Sequence, residues 1–509
     1  MKYNIAISGT FNVENYGDLM FPVIFKKAME KRGLDFELFL FSPEKSCPKA
    51  LDDSTMVYAI EEIDKIHRDH PLDAVVVGGG ALVHYNEIAV KFPGDDDIVG
   101  YDITESWLHP IEFATRNNVK ILFNLPQVPF PFAEPFRATT RAAFDCCDYI
   151  SFRDNISKKY LIDAYSDNNS PIIDVYPDSV CCISKLIDAT ELEQIRKNLL
   201  SFDDKYAVIQ FNPQKPVEDD KYLVQIIEKI KNQGHKIVLL PIGYTHNDDQ
   251  ILQRFNTEHN LDCEIIAKKL NIIETAAVLA GGEIYFGSSF HGAITAIAYG
   301  KKAISYNYIY PKNKNKEIFK MYGISDFVVN DAEEALNLLN DLYDNKITFN
   351  PQTNIVLAQL NEYFDNLYTM IISGKKNSCD YEKLVLSSIK ALPKLAKLDL
   401  ENKQLISNLD SQKDYSIKLE KIVQQHIDEV NRCSKYISDL ENHNKNLENQ
   451  NKDLEKNNLE QNNYIKSLEI TLADTAKQLN EVQNAYSRIR NNFFIRCIYF
   501  AKNLIKKKS

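Results

Sequence analysis

Nowhere do the 509 residues hold an apolar run of about 18, the length a membrane-spanning helix needs, so none is expected. The opening MKYNIAISG has no apolar h-region, so it does not read as a signal peptide. Nine cysteines are present, but none in a Cys-x-x-Cys spacing. Neither a zinc site nor a disulfide framework is therefore expected, and a reduced, cytoplasmic setting fits. Basic residues are in deficit: 60 Lys and Arg stand against 71 Asp and Glu, for a formal charge of −11. General nucleic-acid binding needs a basic surface and is not expected. No cluster of His, Cys, Asp and Glu suggests a metal. Beyond Pro393 there is neither proline nor glycine, so nothing in that stretch breaks a helix.

What is present divides the chain. Up to residue 375, short apolar runs alternate with helix-length amphipathic stretches. Strands are expected at Tyr3–Ser8, Ala74–Val77, Lys120–Asn124, Tyr149–Phe152 and Ile172–Tyr176. A second series is expected at Ala207–Phe211, Lys236–Pro241, Glu283–Phe286 and Ala303–Tyr306. Runs such as AVVV and IVLL are apolar on both faces, as buried parallel strands must be. The alternation implies an α/β fold with two Rossmann-like domains, 1–190 and 191–375, facing a cleft.

A linker at 376–396 leads into a heptad pattern over 397–490. One seam runs through Leu398, Leu405, Leu419, Leu440, Leu447, Leu454 and Leu468. The other includes Val423, Val430, Ile437, Ile465, Leu472 and three successive asparagines, Asn444, Asn451 and Asn458. A 3.5-residue repeat predicts a left-handed coiled coil, about 140 Å long at about 1.5 Å per residue. Asn at three a positions favours a parallel homodimer in one register. The final segment, 491–509, contains FFIRCIYFAKNLIKKK, basic and aromatic without an acid. Such an amphipathic tail suits an anionic membrane surface, placing the protein peripherally on the inner face.

Five places look unlike simple packing. Asn15-Tyr16-Gly17-Asp18 follows the opening strand, where ligand contacts belong in this architecture; an ordinary capped turn would use the same residues. Gly78-Gly79-Gly80 follows AVVV and lets backbone approach a ligand closely. It does not fit G-x-G-x-x-G, so no dinucleotide site is read from it. In Ser151-Phe152-Arg153-Asp154 an arginine ends a strand. It suits a bidentate carboxylate or phosphate, or a surface pair with Asp154 or Asp148. Asp178, in Tyr176-Pro177-Asp178, is a base or a helix cap. Gly287-Ser288-Ser289-Phe290-His291-Gly292 follows the strand EIYF and opens a small-residue helix. N–H groups at a helix start attract anions, Ser288 and Ser289 add hydroxyls, and His291 adds an acid/base candidate. A basic stretch, Lys312–Lys316, follows the next strand.

Taken in order, these motifs resemble the polysaccharide pyruvyl transferase family over about 1–335: N-Y-G-D, GGG, S-x-R-D, P-D, and S-x-x-H-G opening a helix. The resemblance implies two Rossmann-like halves in a GT-B-like arrangement. It implies transfer of a pyruvyl unit from phosphoenolpyruvate to a sugar of a surface polysaccharide or lipid-linked precursor, as a ketal. Phosphoenolpyruvate is then the donor substrate, and no cofactor or metal is required. Arg153 and His291 would contact it, with Asn15, Gly17, Asp18, Gly79, Gly80, Asp178, Ser288, Ser289 and Lys314 lining the substrate site. Two differences stand out: Ser289 lies where family members often carry Arg, and Leu125-Pro126-Gln127-Val128-Pro129 replaces the usual G-Q-G. Two other readings use the same cleft: a nucleotide-sugar glycosyltransferase, or a catalytically degenerate module on a coiled-coil scaffold.

Overall fold

The computed structural model describes residues 2–373 apart from 52–53, 86, 91–98, 166–169, 213–214, 245–246, 267 and 309–313, together with 461–478 and the single residues 456, 459 and 481. The chain divides into two units, Met1–Ser388 and Ile389–Ser509.

In the first half of unit one the strands are β1 (Tyr3–Ser8), β2 (Phe36–Ser42), β3 (Val57–Ala59), β4 (Ala74–Val77), β5 (Glu87–Val90), β6 (Val99–Asp102), β7 (Lys120–Phe123), β8 (Ser151–Phe152) and β9 (Asp174–Val175). The main sheet has the order β3-β2-β1-β4-β7. Its strands are parallel, with Ile7 of β1 opposite Leu40 of β2 and Val76 of β4. All four residues of β4 are buried, as a run apolar on both faces requires. β5 and β6 form an antiparallel hairpin, and β8 and β9 a short parallel pair.

The second half holds β10 (Tyr206–Gln210), β11 (Lys236–Leu239), β12 (Glu264–Ile265), β13 (Ile284–Gly287), β14 (Lys302–Tyr306) and β15 (Val328–Val329). Their order, β12-β11-β10-β13-β14-β15, is that of a doubly wound sheet. In both sheets the chain reverses direction beside the first strand, between β1 and β4 and between β10 and β13. A crevice for ligands opens at the carboxyl ends of such strands. Three of the five motifs follow strands of these sheets, β1, β4 and β13, and the other two follow the short β8–β9 pair.

The expected strands at Tyr149–Phe152 and Ile172–Tyr176 shrink to two paired residues each. β2, β3, β12, β15 and the β5–β6 hairpin were not foreseen. The helix Thr353–Ile372, last in the second series, packs on the first lobe. There Tyr363 donates to Asn124 Oδ1 at 2.7 Å and Arg32 Nε pairs with Asp365 at 2.9 Å. Cys47, Cys147, Cys181, Cys182 and Cys263 are free thiols, whereas Cys146 is disulfide-bonded, against the sequence expectation.

No described helix is long and apolar enough to cross a membrane. In unit two, 461–478 is helical, and its heptad residues Ile465, Leu468 and Leu472 are not buried. The rest of the expected coiled coil, the linker and the tail lie outside the described residues.

Candidate functional site

The first lobe supplies a helix start. Asn15 caps the helix Tyr16–Lys31 by accepting from Gly17 N at 3.0 Å, and Asp18 stands in its first turn beside the positive end of the dipole. The second lobe supplies another. Ser289 caps Phe290–Ala298 by accepting from Gly292 N at 3.2 Å. The two helices meet, with Tyr16 and Thr295 hydroxyls 2.9 Å apart. Their first turns press so closely that a Cβ on Gly17 would lie 1.9 Å from His291 Nδ1. Phe21, one turn further along, sets its ring edge against His291 at 5.5 Å. Phe21 in turn rests on Gly79, where a Cβ would fall 2.2 Å from the ring. Gly80 takes a positive φ of 99°, and its missing Cβ would stand 2.9 Å from Asp18 Oδ1. The glycines thus admit the side chains that hold His291.

Arg153 and His291 converge on one carboxylate. Arg153 Nη1 donates to Asp178 Oδ2 at 2.9 Å, and Nη2 to Gln127 Oε1 at 2.6 Å. The guanidinium also lies 4.8 Å from the centre of the Phe290 ring. His291 Nε2 is 3.7 Å from the same Asp178 oxygen, within ion-pair range but too far for a hydrogen bond. Asp178 is both cap and partner, since its Oδ1 accepts from Val180 N at 3.0 Å. Burial opposes its charge, yet His291, Arg153 and the Val180 N–H together hold the carboxyl below its ordinary value. The expected surface partners of Arg153, Asp148 and Asp154, are not used.

Sequence reasoning missed Gln210 and Asp248. Gln210 closes β10, and its Oε1 accepts from Ser288 N at 3.1 Å and Ser289 N at 2.8 Å. The two amides expected to face an anion are therefore given to Gln210. Its Nε2 donates to Asp248 Oδ2 at 2.7 Å, which also accepts from Gly243 N at 2.9 Å. The one available signal was a polar residue ending an apolar strand run.

Burial pushes the Asp248 carboxyl up from 3.8 to about 6. Between those values the unfolded chain releases a proton that the folded protein keeps, so stability falls as pH rises. The loss is complete above about pH 6 and amounts to at most about 3 kcal/mol. Asp248→Asn keeps the acceptor and removes the charge. Scanning calorimetry should find the variant matching wild type near pH 4 and melting higher at pH 7. A difference independent of pH would contradict this.

The structure thus brings together Asn15, Gly17, Asp18, Gly79, Gly80, Arg153, Asp178, Ser288, Ser289 and His291. Lys314 begins the helix Lys314–Met321, but its side chain lies outside the described residues. Among the described residues no group of three His, Cys, Asp or Glu could hold a metal.

Two doubly wound lobes joined over an Arg–Asp–His cluster define a two-lobed α/β protein with its candidate site between the lobes. The chain belongs to the polysaccharide pyruvyl transferase family, whose model matches residues 15–310. No curated protein matches the chain. Among solved structures, a UDP-GlcNAc 2-epimerase from Methanocaldococcus jannaschii, in complex with UDP-GlcNAc and UDP, shares 15% identity at a TM-score of 0.44, covering 72% of this chain and 99% of its own. A glycosyltransferase from Rickettsia africae shares 13% at 0.42, covering 77% and 98%. The ADP-heptose lps heptosyltransferase II of E. coli shares 12% at 0.37, covering 68% and 99%.

Proposed function

We propose that this chain transfers a pyruvyl unit from phosphoenolpyruvate to a glycan as a ketal, with His291 as proton carrier. The observation that carries this is the convergence of Arg153 and His291 on buried Asp178 where the lobes meet. Phosphoenolpyruvate is multiply anionic, and two of the five Arg153 N–H donors are engaged, leaving three for its carboxylate or phosphate. His291 protonates the methylene carbon while a sugar hydroxyl adds to the central carbon and gives up its proton. Phosphate leaves with one proton, and a second hydroxyl closes the ketal and releases its own. Gly17 packs against Nδ1, which leaves Nε2, 3.7 Å from Asp178 Oδ2, as the proton-carrying atom.

The partner is a polysaccharide or lipid-linked glycan. The heptad pattern of 397–490 favours a parallel homodimer, and the basic, aromatic composition of 491–509 favours an anionic membrane surface. Flotation with lipid vesicles, with and without 491–509, tests the anchor.

Phosphoenolpyruvate with a suitable glycan should release phosphate. His291→Ala and Arg153→Ala should each cut that release by about 100-fold or more. Normal turnover in both variants overturns the mechanism. Thermal stabilisation by a UDP- or GDP-sugar and not by phosphoenolpyruvate would point instead to sugar transfer.

A further inference from the structure

His291 stands two residues beyond a turn whose shape one side chain dictates. Ser288 and Ser289 link the end of β13 to the helix Phe290–Ala298. Both of their N–H groups bind Gln210 Oε1, at 3.1 and 2.8 Å, and the Ser288 hydroxyl joins them at 3.2 Å. The Tyr285 hydroxyl reaches the same oxygen at 3.3 Å. Four donors on one amide oxygen define its position closely. An amide can rotate, however, and the same site would then present N–H groups to N–H groups. Asp248 prevents that. Its Oδ2 accepts a hydrogen bond from Gln210 Nε2 at 2.7 Å and another from Gly243 N, just beyond β11, at 2.9 Å. Gln210 and Asp248 are 3% and 1% exposed, so water does not replace these bonds at low cost. The network joins the carboxyl ends of β10, β11 and β13 and ends on the segment that carries His291.

We propose that Gln210 and Asp248 are positioning residues for His291: Asp248 orients the Gln210 amide, and Gln210 sets the Ser288–Ser289 turn from which the histidine projects. Neither side chain needs to touch substrate. This rests on the reading of His291 as proton carrier, but its physical content, the placement of an imidazole, can be measured without turnover.

Gln210→Met keeps length and removes both amide atoms. Asp248→Leu keeps the branched outline, in a bulkier form, and removes the acceptor, whereas Asp248→Asn keeps an acceptor for both Gln210 and Gly243. The ring 15N signals of His291, assigned by their loss in His291→Ala, should shift in Gln210→Met and Asp248→Leu and stay near wild type in Asp248→Asn. In phosphate release from phosphoenolpyruvate, the first two variants should lose roughly ten-fold in kcat, with a smaller change in KM. The double variant should be no worse than the worse single one, because the two residues act in series. An unmoved His291 signal in Gln210→Met, or fully additive losses, overturns the inference. Should Gln210→Met not fold, the contrast between Asp248→Leu and Asp248→Asn decides the same point. If wild type releases no phosphate while the His291 signal still responds, the proposed reaction fails and the positioning role stands.

Discussion

Asp178→Ala should cost the folded protein about 3–5 kcal/mol, the usual penalty for leaving one half of a buried ion pair behind. Asp178 and Arg153 side chains are 1% and 4% exposed, so water cannot take over the role of either. Without Asp178 the guanidinium keeps Gln127 and the Phe290 ring but no counter-charge. The Val180 N–H loses its cap as well, worth about 1 kcal/mol more. Asp178→Asn retains the cap acceptor and should fall between wild type and Ala. The acid limb gives an internal check. The lowered carboxyl value means that Asp178 stabilises above about pH 3.8 and that this contribution fades as pH falls through its folded value. Urea denaturation should therefore show the gap between wild type and Asp178→Ala narrowing in acid. A gap below 1 kcal/mol at pH 7 would mean that the pair is dispensable, and Arg153 would have to be assigned another reason for its burial.

Gly17→Ala should lower phosphate release by about 100-fold while the helix content stays unchanged. Gly17 is the second residue of its helix, and alanine is the better helix former, so the backbone has no objection. The objection is steric: a Cβ would stand 1.9 Å from His291 Nδ1 and 2.3 Å from Cε1. The ring is also boxed in by Phe21 and Phe290, with ring centres 5.5 and 5.0 Å away. Either the imidazole swings out or the two helices separate, and both remove it from Asp178. Circular dichroism and phosphate release, measured on one preparation, decide the matter. Wild-type turnover in Gly17→Ala would show that the helices slide freely and that the contact is incidental.

The strands that could be read in advance were those buried on both faces. AVVV has no polar residue to place at a surface, and KILF has only Lys120 at its very start, so their strand assignment follows from the apolar run alone. β12 and β15 are two residues each at sheet edges, and β3 is three, too short for any period to register. Their pairing is decided by neighbours: Leu239 of β11 recruits Ile265, and Tyr306 of β14 recruits Val329. The site divides along the same line. Turn chemistry announced Asn15 and Asp178 as caps, because a cap acts within a few residues of itself, whereas Ser289, read as a hydroxyl donor to an anion, caps its helix instead.

Local order thus stated the repeating strand–helix plan, the five candidate loops, and the family to which the chain belongs. Their partners were settled only when the sheets closed. Gln127 meets Arg153 across 26 positions, Gln210 meets Ser289 across 79, and Tyr16 meets Thr295 across 279. Hydrogen bonds and ion pairs depend on distance in space, and a chain carries that information only once its buried apolar surface has brought the distant segments together.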